Sequence, residues 1–438
     1  MKFILLLSFY SIAIALNAQQ APIQFFRAND KRGLHVFETT KNDTTAFTGL
    51  KIRLGGNFTQ DFQGISQKNT ATPVILNGVN SNQLMGLTNG FNLAMANLTI
   101  DAQLEDGIRM NLTLYLSSRH HQETWVKGGY IQFDKLLFLK SDVIDNIMKS
   151  FTIKIGDYEI DYGDQHFRRS DGGNSIHNPF IENHIMDQFT TEIGGEIYYH
   201  PQNGLIIMGG ITNGELNPTV IAPTKIDSAT GKANKYNPAF HGKLGFDKQV
   251  NEDLRFRIMG SIYAVSSTAS NTLFGGDRTG SHYFFAMENT KATFDGNAFS
   301  GRYNPQFRQQ VTTFMINPFV KFKGLELLGT YEVAQGRLIT EPAMRKATQY
   351  AVDVVYRFPR GKENFWIAGR YNSVTASLPL NPTDVTIDRV TTSLGWFLTK
   401  NIMLKAEYVS QQYKNFALND IRSGGEFNGL MVQASVGF

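Results

Sequence analysis

Residues 108–117, IRMNLTLYLS, alternate without a break. Ile108, Met110, Leu112, Leu114 and Leu116 fall on one side, and Arg109, Asn111, Thr113, Tyr115 and Ser117 on the other. Successive side chains of extended backbone point to opposite faces, so a period of two marks a strand with one apolar and one polar face. The pattern returns at 254–264, where Phe256, Ile258 and Ile262 oppose Arg255, Arg257 and Ser261, and again at 50–54, 365–371 and 402–408. Glycine (40) and phenylalanine (33) are abundant while helical spacing is scarce, which makes the chain all-β. In a sandwich the apolar faces would meet in a core. In a membrane-spanning barrel they turn to lipid and the polar faces to a watery lumen.

The connections separate the two cases. Strands are expected at 45–58, 91–102, 107–118, 123–134, 150–162, 191–200, 204–213, 237–248, 252–266, 311–322, 325–336, 345–358, 364–376, 385–398, 401–413 and 426–438. The even-to-odd joints are tight, as in Gln103 to Asp106, Pro201 to Asn203, Gln249 to Asn251, Lys323 to Gly324, Pro359 to Glu363 and Thr399 to Lys400, with 135–149 the exception. The odd-to-even joints are longer, as in 59–90, 163–190, 214–236 and 267–310. Short turns on one rim and long loops on the other predict a transmembrane antiparallel barrel with periplasmic turns and extracellular loops. Sixteen strands put both termini on the turn side. An eighteen-strand alternative would read 280–310 as two more strands and place an overlong joint among the tight ones.

The ends agree. Met1 and Lys2 precede an apolar run from Phe3 to Leu16 and the small, polar Asn17-Ala18-Gln19, the form of a secretory signal peptide over 1–18. Residues 19–44 are then expected to form an N-terminal periplasmic segment, and 45–438 the barrel. The final stretch GLMVQASVGF alternates down to a terminal Phe438, which resembles the signal that outer-membrane barrels present to their assembly machinery. Cysteine is absent, which excludes disulfides and thiolate metal sites. The formal charge of +4 is too small for a chain of 438 residues to indicate a nucleic-acid partner.

The segment NLTIDAQLEDGIRMNLTLYLSSRHHQETWVKGGYIQFDKL, followed by IGDYEIDYGDQHFRRSDGGN, resembles the Gram-negative outer-membrane porins of the sixteen-stranded type, among the porin-like families with phosphate-selective and dicarboxylate-selective channels. The resemblance spans the whole chain after the leader. It implies a homotrimer with one pore per subunit, a partner surface of outer-membrane lipid and lipopolysaccharide, and a third long loop that folds inward as a constriction. The chain departs from general porins in its length and its large fifth loop, so no solute is carried over.

By strand count the third long loop is 163–190. Asp164, His166, Arg168, Arg169, Asp171, Glu182 and Asp187 are the expected constriction residues, since opposed charges in a confined pore sort ions by sign. Gly172 and Gly173 suit a tight reversal there. Parity places Lys51, Arg53, Arg109, Lys154, Arg255, Arg257, Lys321, Arg370, Arg389 and Lys405 on the lumen wall. A slip expected at Gly156 would add Asp157, Glu159 and Asp161 and turn Tyr158, Ile160 and Tyr162 to lipid. Basic residues in excess suggest a modest anion preference. Trp125, Tyr130, Phe133, Tyr198, Trp396, Phe397 and Tyr408 suit interfacial girdles, with Trp366 in the lumen.

His120-His121-Gln122-Glu123 could suggest a metal, but neighbouring residues of a strand point to opposite faces, so no metal is expected. No nucleophile elbow, phosphate-binding loop or His-Glu-x-x-His is present. His166 and Ser170 are the pair a barrel hydrolase would need, with no third group to orient the histidine. The leading reading is therefore passive diffusion of small hydrophilic solutes across the outer membrane, without cofactor or chemistry. The alternative is a barrel whose lumen loop 267–310 plugs, serving as a subunit of a larger outer-membrane assembly.

Overall fold

A computed structural model describes residues 20, 22–92, 95–117, 124–171, 174–216, 222–379 and 383–438. The leader, His120–Glu123 and Gly172-Gly173 lie outside the described residues. Sixteen long strands follow one another: β1 Lys51–Lys68, β2 Met95–Glu105, β3 Ile108–Ser117, β4 Trp125–Phe133, β5 Phe151–Glu159, β6 Thr191–Tyr199, β7 Leu205–Thr212, β8 Ala239–Gln249, β9 Leu254–Val265, β10 Gln310–Phe322, β11 Leu325–Arg337, β12 Arg345–Phe358, β13 Phe365–Ala376, β14 Val385–Phe397, β15 Ile402–Lys414 and β16 Glu426–Gly437. Each pairs antiparallel with its neighbour in sequence. The lower half of β1 pairs with β2, Lys51 opposite Gln103, and its upper half pairs with β16, Lys68 opposite Glu426. The sheet therefore closes and leaves no edge. Phe438 continues the seam: its N–H donates to the Gly56 carbonyl at 3.0 Å, and its own carbonyl accepts from the Gly56 N–H at 3.1 Å.

The faces are inverted relative to a soluble fold. In β9, Phe256, Ile258 and Ile262 are 39–49% exposed, while Arg257 and Ser261 are at most 1% exposed. Outward apolar residues ring the barrel, from Ile52 on β1 to Leu430 on β16. Only lipid makes such a surface stable, and only a closed barrel satisfies its backbone there. At the turn rim Tyr356, Phe358, Phe365 and Trp396 form an outward stack with centroids 5.8–5.9 Å apart. Tyr130, Tyr198 and Phe397, expected beside them, turn inward instead. Tyr130 lies 4.8 Å below the Lys154 ammonium, the Tyr198 hydroxyl donates to Glu196, and Phe397 packs on Trp366. Trp366 is in the lumen as parity requires.

Two boundaries move. β1 begins at Lys51 and runs ten residues beyond the expected Phe58, because Thr59, Asp61, Gln63 and Ile65 keep the inward parity although Gln60 and Gly64 interrupt the apolar face. In β5 the slip at Gly156 does not occur. Pairing with β6 is unbroken from Phe151 opposite Tyr199 to Glu159 opposite Thr191. Gly156 adopts φ +144 and lies so close to Gly129 that a Cβ would sit 2.4 Å from its carbonyl, so the glycine absorbs the bend within the register. Tyr158 consequently faces inward beneath Lys154 (4.2 Å), and Ile160 and Tyr162 are 3% and 2% exposed rather than lipid-facing. Asp157 falls on the opposite side of the strand from Lys154, in register with Ile193, and borders a cavity toward the loop rim.

The tight joints stand on one rim and the long connections on the other. Residues 266–309 form turns rather than barrel strands, which settles the count at sixteen. The exceptional joint between β4 and β5 carries a helix, α1 Asp142–Met148.

Candidate functional site in the barrel lumen

Residues 160–190 leave the wall and cross the lumen. The chain turns inward at Gly163, whose φ of +74 suits glycine and where a Cβ would lie 2.5 Å from the Met315 sulfur. Backbone in a lumen must find partners for its N–H and C=O groups, and side chains of the far wall provide them. Lys405 donates from Nζ to the carbonyls of Ser175, Asn178 and Phe180 at 2.8–3.1 Å. Trp366 Nε1 donates to the Pro179 carbonyl. Glu407, Asn372 and Gln349 accept from the N–H groups of Ile181, Ile185 and Met186. The Ser175 hydroxyl reaches Asn57 and Ser435. The loop is thus tied to β1, β12, β13, β15 and β16, and Ile176, Phe180, Ile181, Ile185 and Met186 have no exposed surface.

The second large loop, 266–309, lies against the first. Arg302 donates to Glu182 and Asp187 at 2.7 Å and to Asp171 at 3.3 Å. Its Gly301 carbonyl accepts from Arg389 and Gln411. Tyr283 donates to Glu407, and His282 bonds Asp61. Burial alone would push the Glu182 carboxyl up, but Arg302, His282 and Arg389 together hold it below its ordinary value.

A third segment enters from the turn rim. Residues 22–48 line the mouth rather than leaving it. Arg27 donates to the Phe167 carbonyl and to Asn174 at 2.9 and 3.0 Å, and Phe37 packs edge-on to Phe167 and Phe319. Lys41 Nζ donates to the carbonyls of Asp134 and Phe151 at 2.8 Å. Glu38 receives Arg257 at 2.7 and 2.8 Å and Lys243 at 3.0 Å. The same two cations also hold Asp164 on the crossing loop, and Lys243 holds Asp161. Burial would raise the Glu38 carboxyl, but Arg257 and then Lys243 outweigh it and hold it at about 2. At the rim, His35 and Lys321 likewise hold Glu363 at about 2 against burial.

Most of the sequence-predicted residues meet here, in pairs. Arg168 bonds Glu326, and Arg169 bonds Asp171 and Asp187 with its guanidinium over Phe189. Arg255 bonds Asp247, and Arg370 bonds Asp353 and the Glu182 carbonyl. Lys51 and Arg53 face the N-terminal segment, at the Pro22 carbonyl and the Phe26 ring. His166 bonds Asp161 at 2.8 Å, whereas the Ser170 hydroxyl has no partner among the described residues, so the two form no nucleophilic pair. The sequence-predicted set omits Glu38, Asp61, Lys243, Glu326 and Glu407, which bind the segments to the wall. Strand parity could have placed all but Glu38, since each occupies an inward position of its strand.

Two cavities lie along the β2–β6 wall, with others of about 670 Å³ at the turn rim beside β7–β9 and about 360 Å³ at the loop rim beside β15. A cavity of about 240 Å³ in the turn half is lined from the wall by Asp101, Arg109, Tyr130, Lys154 and Tyr198, on β2 to β6, and closed below by Phe26, Arg27, Phe37 and Glu38. A second, of about 700 Å³, opens toward the loop rim against Tyr115, Lys127, Asp157 and Ile193 on β3 to β6. Glu159 borders the lower cavity, and Lys127, in the upper one, bonds Asp277.

Closure, inverted faces and a lumen crossed by loops define a sixteen-stranded transmembrane β-barrel. The chain is similar in form to solved outer-membrane proteins. An anion-selective porin from Comamonas acidovorans shares 10% identity with a TM-score of 0.49, covering 89% of this chain and 100% of that one. The outer membrane channel DcaP of Acinetobacter baumannii shares 10% at 0.48, covering 90% and 99%. OmpT of Vibrio cholerae shares 9% at 0.48, covering 90% and 99%. Neither a family model nor a curated protein matches the chain.

Proposed function

We infer that the chain is an outer-membrane porin that passes small hydrophilic solutes along the β2 to β6 side of its lumen. The observation carrying this reading is the pair of cavities along β2 to β6, on the far side of the lumen from β12 to β15, which hold the backbone of residues 175–186. Along that wall Arg109 and Lys154 face Asp101, Glu159 and Asp161, so charge filtering would act at a mixed surface and any anion preference rests on the two cations. Arg168, Arg169, Arg257, Arg370, Arg389 and Lys405 are buried at 7% exposure or less and act as braces for the loops. Residues 22–45 floor the lower cavity, so passage to the turn side depends on their position.

A sealed barrel serving as an assembly subunit is the second reading, favoured by the complete burial of residues 176–186 of the crossing loop. Planar-bilayer recordings of the refolded chain and of one lacking residues 20–44 separate the two. Steady openings of the full chain support the porin, and a larger conductance on truncation supports the floor. Silence of both assigns the chain to the sealed class.

A further inference from the structure

The joint between β4 and β5 is unlike its neighbours on the turn rim. The other turn-side joints are built from charge and turn formers, with Val250 and Leu398 their only large apolar side chains left exposed. Residues 134–150 instead expose Leu137, Phe138 and Leu139 at 43, 60 and 47%, and Val143 and Ile147 on α1 at 68 and 50%. Ser141 caps the helix by accepting from the Ile144 N–H at 3.5 Å. Helical spacing puts Val143 and Ile147 on one stripe, with Ile144 and Met148 beside it. Met148 is buried against the barrel (4%), whereas the Val143–Ile147 stripe is bare.

The base of this excursion is fixed. Asp134 N–H donates to the Gly107 carbonyl, Lys135 bonds Asp106 at 2.7 Å, and Lys41 reaches the carbonyls of Asp134 and Phe151 at the two ends of the joint. The bare stripe is therefore held at the rim rather than waving in solvent. It also continues a surface already assigned to lipid: the strands that carry it expose Ile131 and Ile155, and the adjacent strand Ile197, at 39, 54 and 53%. Lys140 and Lys149 stand exposed at either end of α1. Apolar side chains with lysines at the margin suit the boundary between acyl chains and phosphate headgroups, where ammonium groups reach outward to phosphate.

We propose that residues 137–148 form an interfacial anchor that inserts into the phospholipid leaflet on the turn side of the barrel. The occupant is a phospholipid surface rather than another protein, because the bare stripe runs on from the lipid belt and has lysines where headgroups would lie. The anchor steadies the rim at the β4–β5 wall and does not depend on whether the lumen conducts.

The absence of native cysteine allows a clean test. Val143→Cys, Asn146→Cys and, as a water-exposed reference, Asn251→Cys are each labelled with a nitroxide in the full chain. Each is then refolded into vesicles of phosphatidylethanolamine and phosphatidylglycerol. The label at 143 is expected to be reached by oxygen and shielded several-fold from a water-soluble nickel chelate, relative to 146 and 251. Equal chelate access at 143 and 251 overturns the proposal. Shielding from both reagents with dipolar broadening between labels overturns it in favour of a second copy of this chain. A variant with Phe138→Ser and Val143→Ser should insert into the same vesicles several-fold more slowly with unchanged barrel closure. An unchanged insertion rate overturns the proposal as well.

Discussion

The guanidinium of Arg257, on β9, donates 2.7 and 2.8 Å hydrogen bonds to Glu38, on the N-terminal segment, from a position with no exposed surface. The same guanidinium holds Asp164 on the crossing loop, so one side chain joins the floor of the lumen to the loop above it. Removing one partner of a buried pair leaves an uncompensated charge at a cost of about 3–5 kcal/mol. Arg257→Ala is expected to free residues 22–41, read as new tryptic cleavage at Arg27 and Lys31 in a barrel that still resists the protease. Arg257→Lys, which keeps the charge without the two-sided fork, should give partial cleavage.

The same contact sets a pH dependence. The folded-state carboxyl of Glu38 lies at about 2 against an ordinary 4.5. A depressed carboxyl contributes stability that is complete above the unfolded value and lost as pH falls toward the folded one. A nitroxide on Asn42→Cys, at the exposed end of the segment, should stay immobile above pH 4.5, loosen progressively toward pH 2 and recover on return. With Glu38→Gln added, the mobility should change little over that range.

Lys405 holds three loop carbonyls from one ammonium. Hydrogen bonds from a charged donor contribute on the order of 1.5–3 kcal/mol each. Lys405→Met should loosen residues 175–180, seen as faster amide exchange of that stretch and noisier single-channel current, with the strand amides unchanged.

Selectivity should follow the open wall rather than the braces. Arg109→Glu together with Lys154→Glu is expected to move the bilayer reversal potential toward cations. Arg168→Gln with Arg169→Gln should disturb loop order while shifting the potential much less. The opposite ranking would place the solute route along the crossing loop.

The strands were legible because each carries its own evidence: a period of two needs no knowledge of neighbours, and the alternating joint lengths supplied closure. The apolar face of β1 fades at Phe58 because Gln60 and Gly64 dilute it, although the inward set Thr59, Asp61 and Gln63 carries the strand on to Lys68. The continuous register of β5 is hidden for a related reason. Tyr158 and Tyr162 look lipid-facing by type, yet an aromatic ring under an ammonium, or a hydroxyl on Glu332 at 2.9 Å, is stable inside a charged lumen. Arg169 and its partners Asp171 and Asp187 share one loop and are legible together, whereas the partner of Arg168, Glu326, lies 158 residues away in sequence.

Local pattern and joint lengths determined the all-β class, the inverted faces and the two unequal rims, because these follow from the two-residue repeat and the lengths between repeats, while the choice of sixteen strands over eighteen rested on the turns of residues 266–309. Tertiary structure decided what fills the barrel. Residues 22–48 have no periodicity to announce their place, and Glu38 finds Arg257 and Lys243 only once β8 and β9 stand side by side. Where residues 175–186 lie was decided the same way, because β12 to β15 offer their backbone N–H and C=O groups the partners that burial demands.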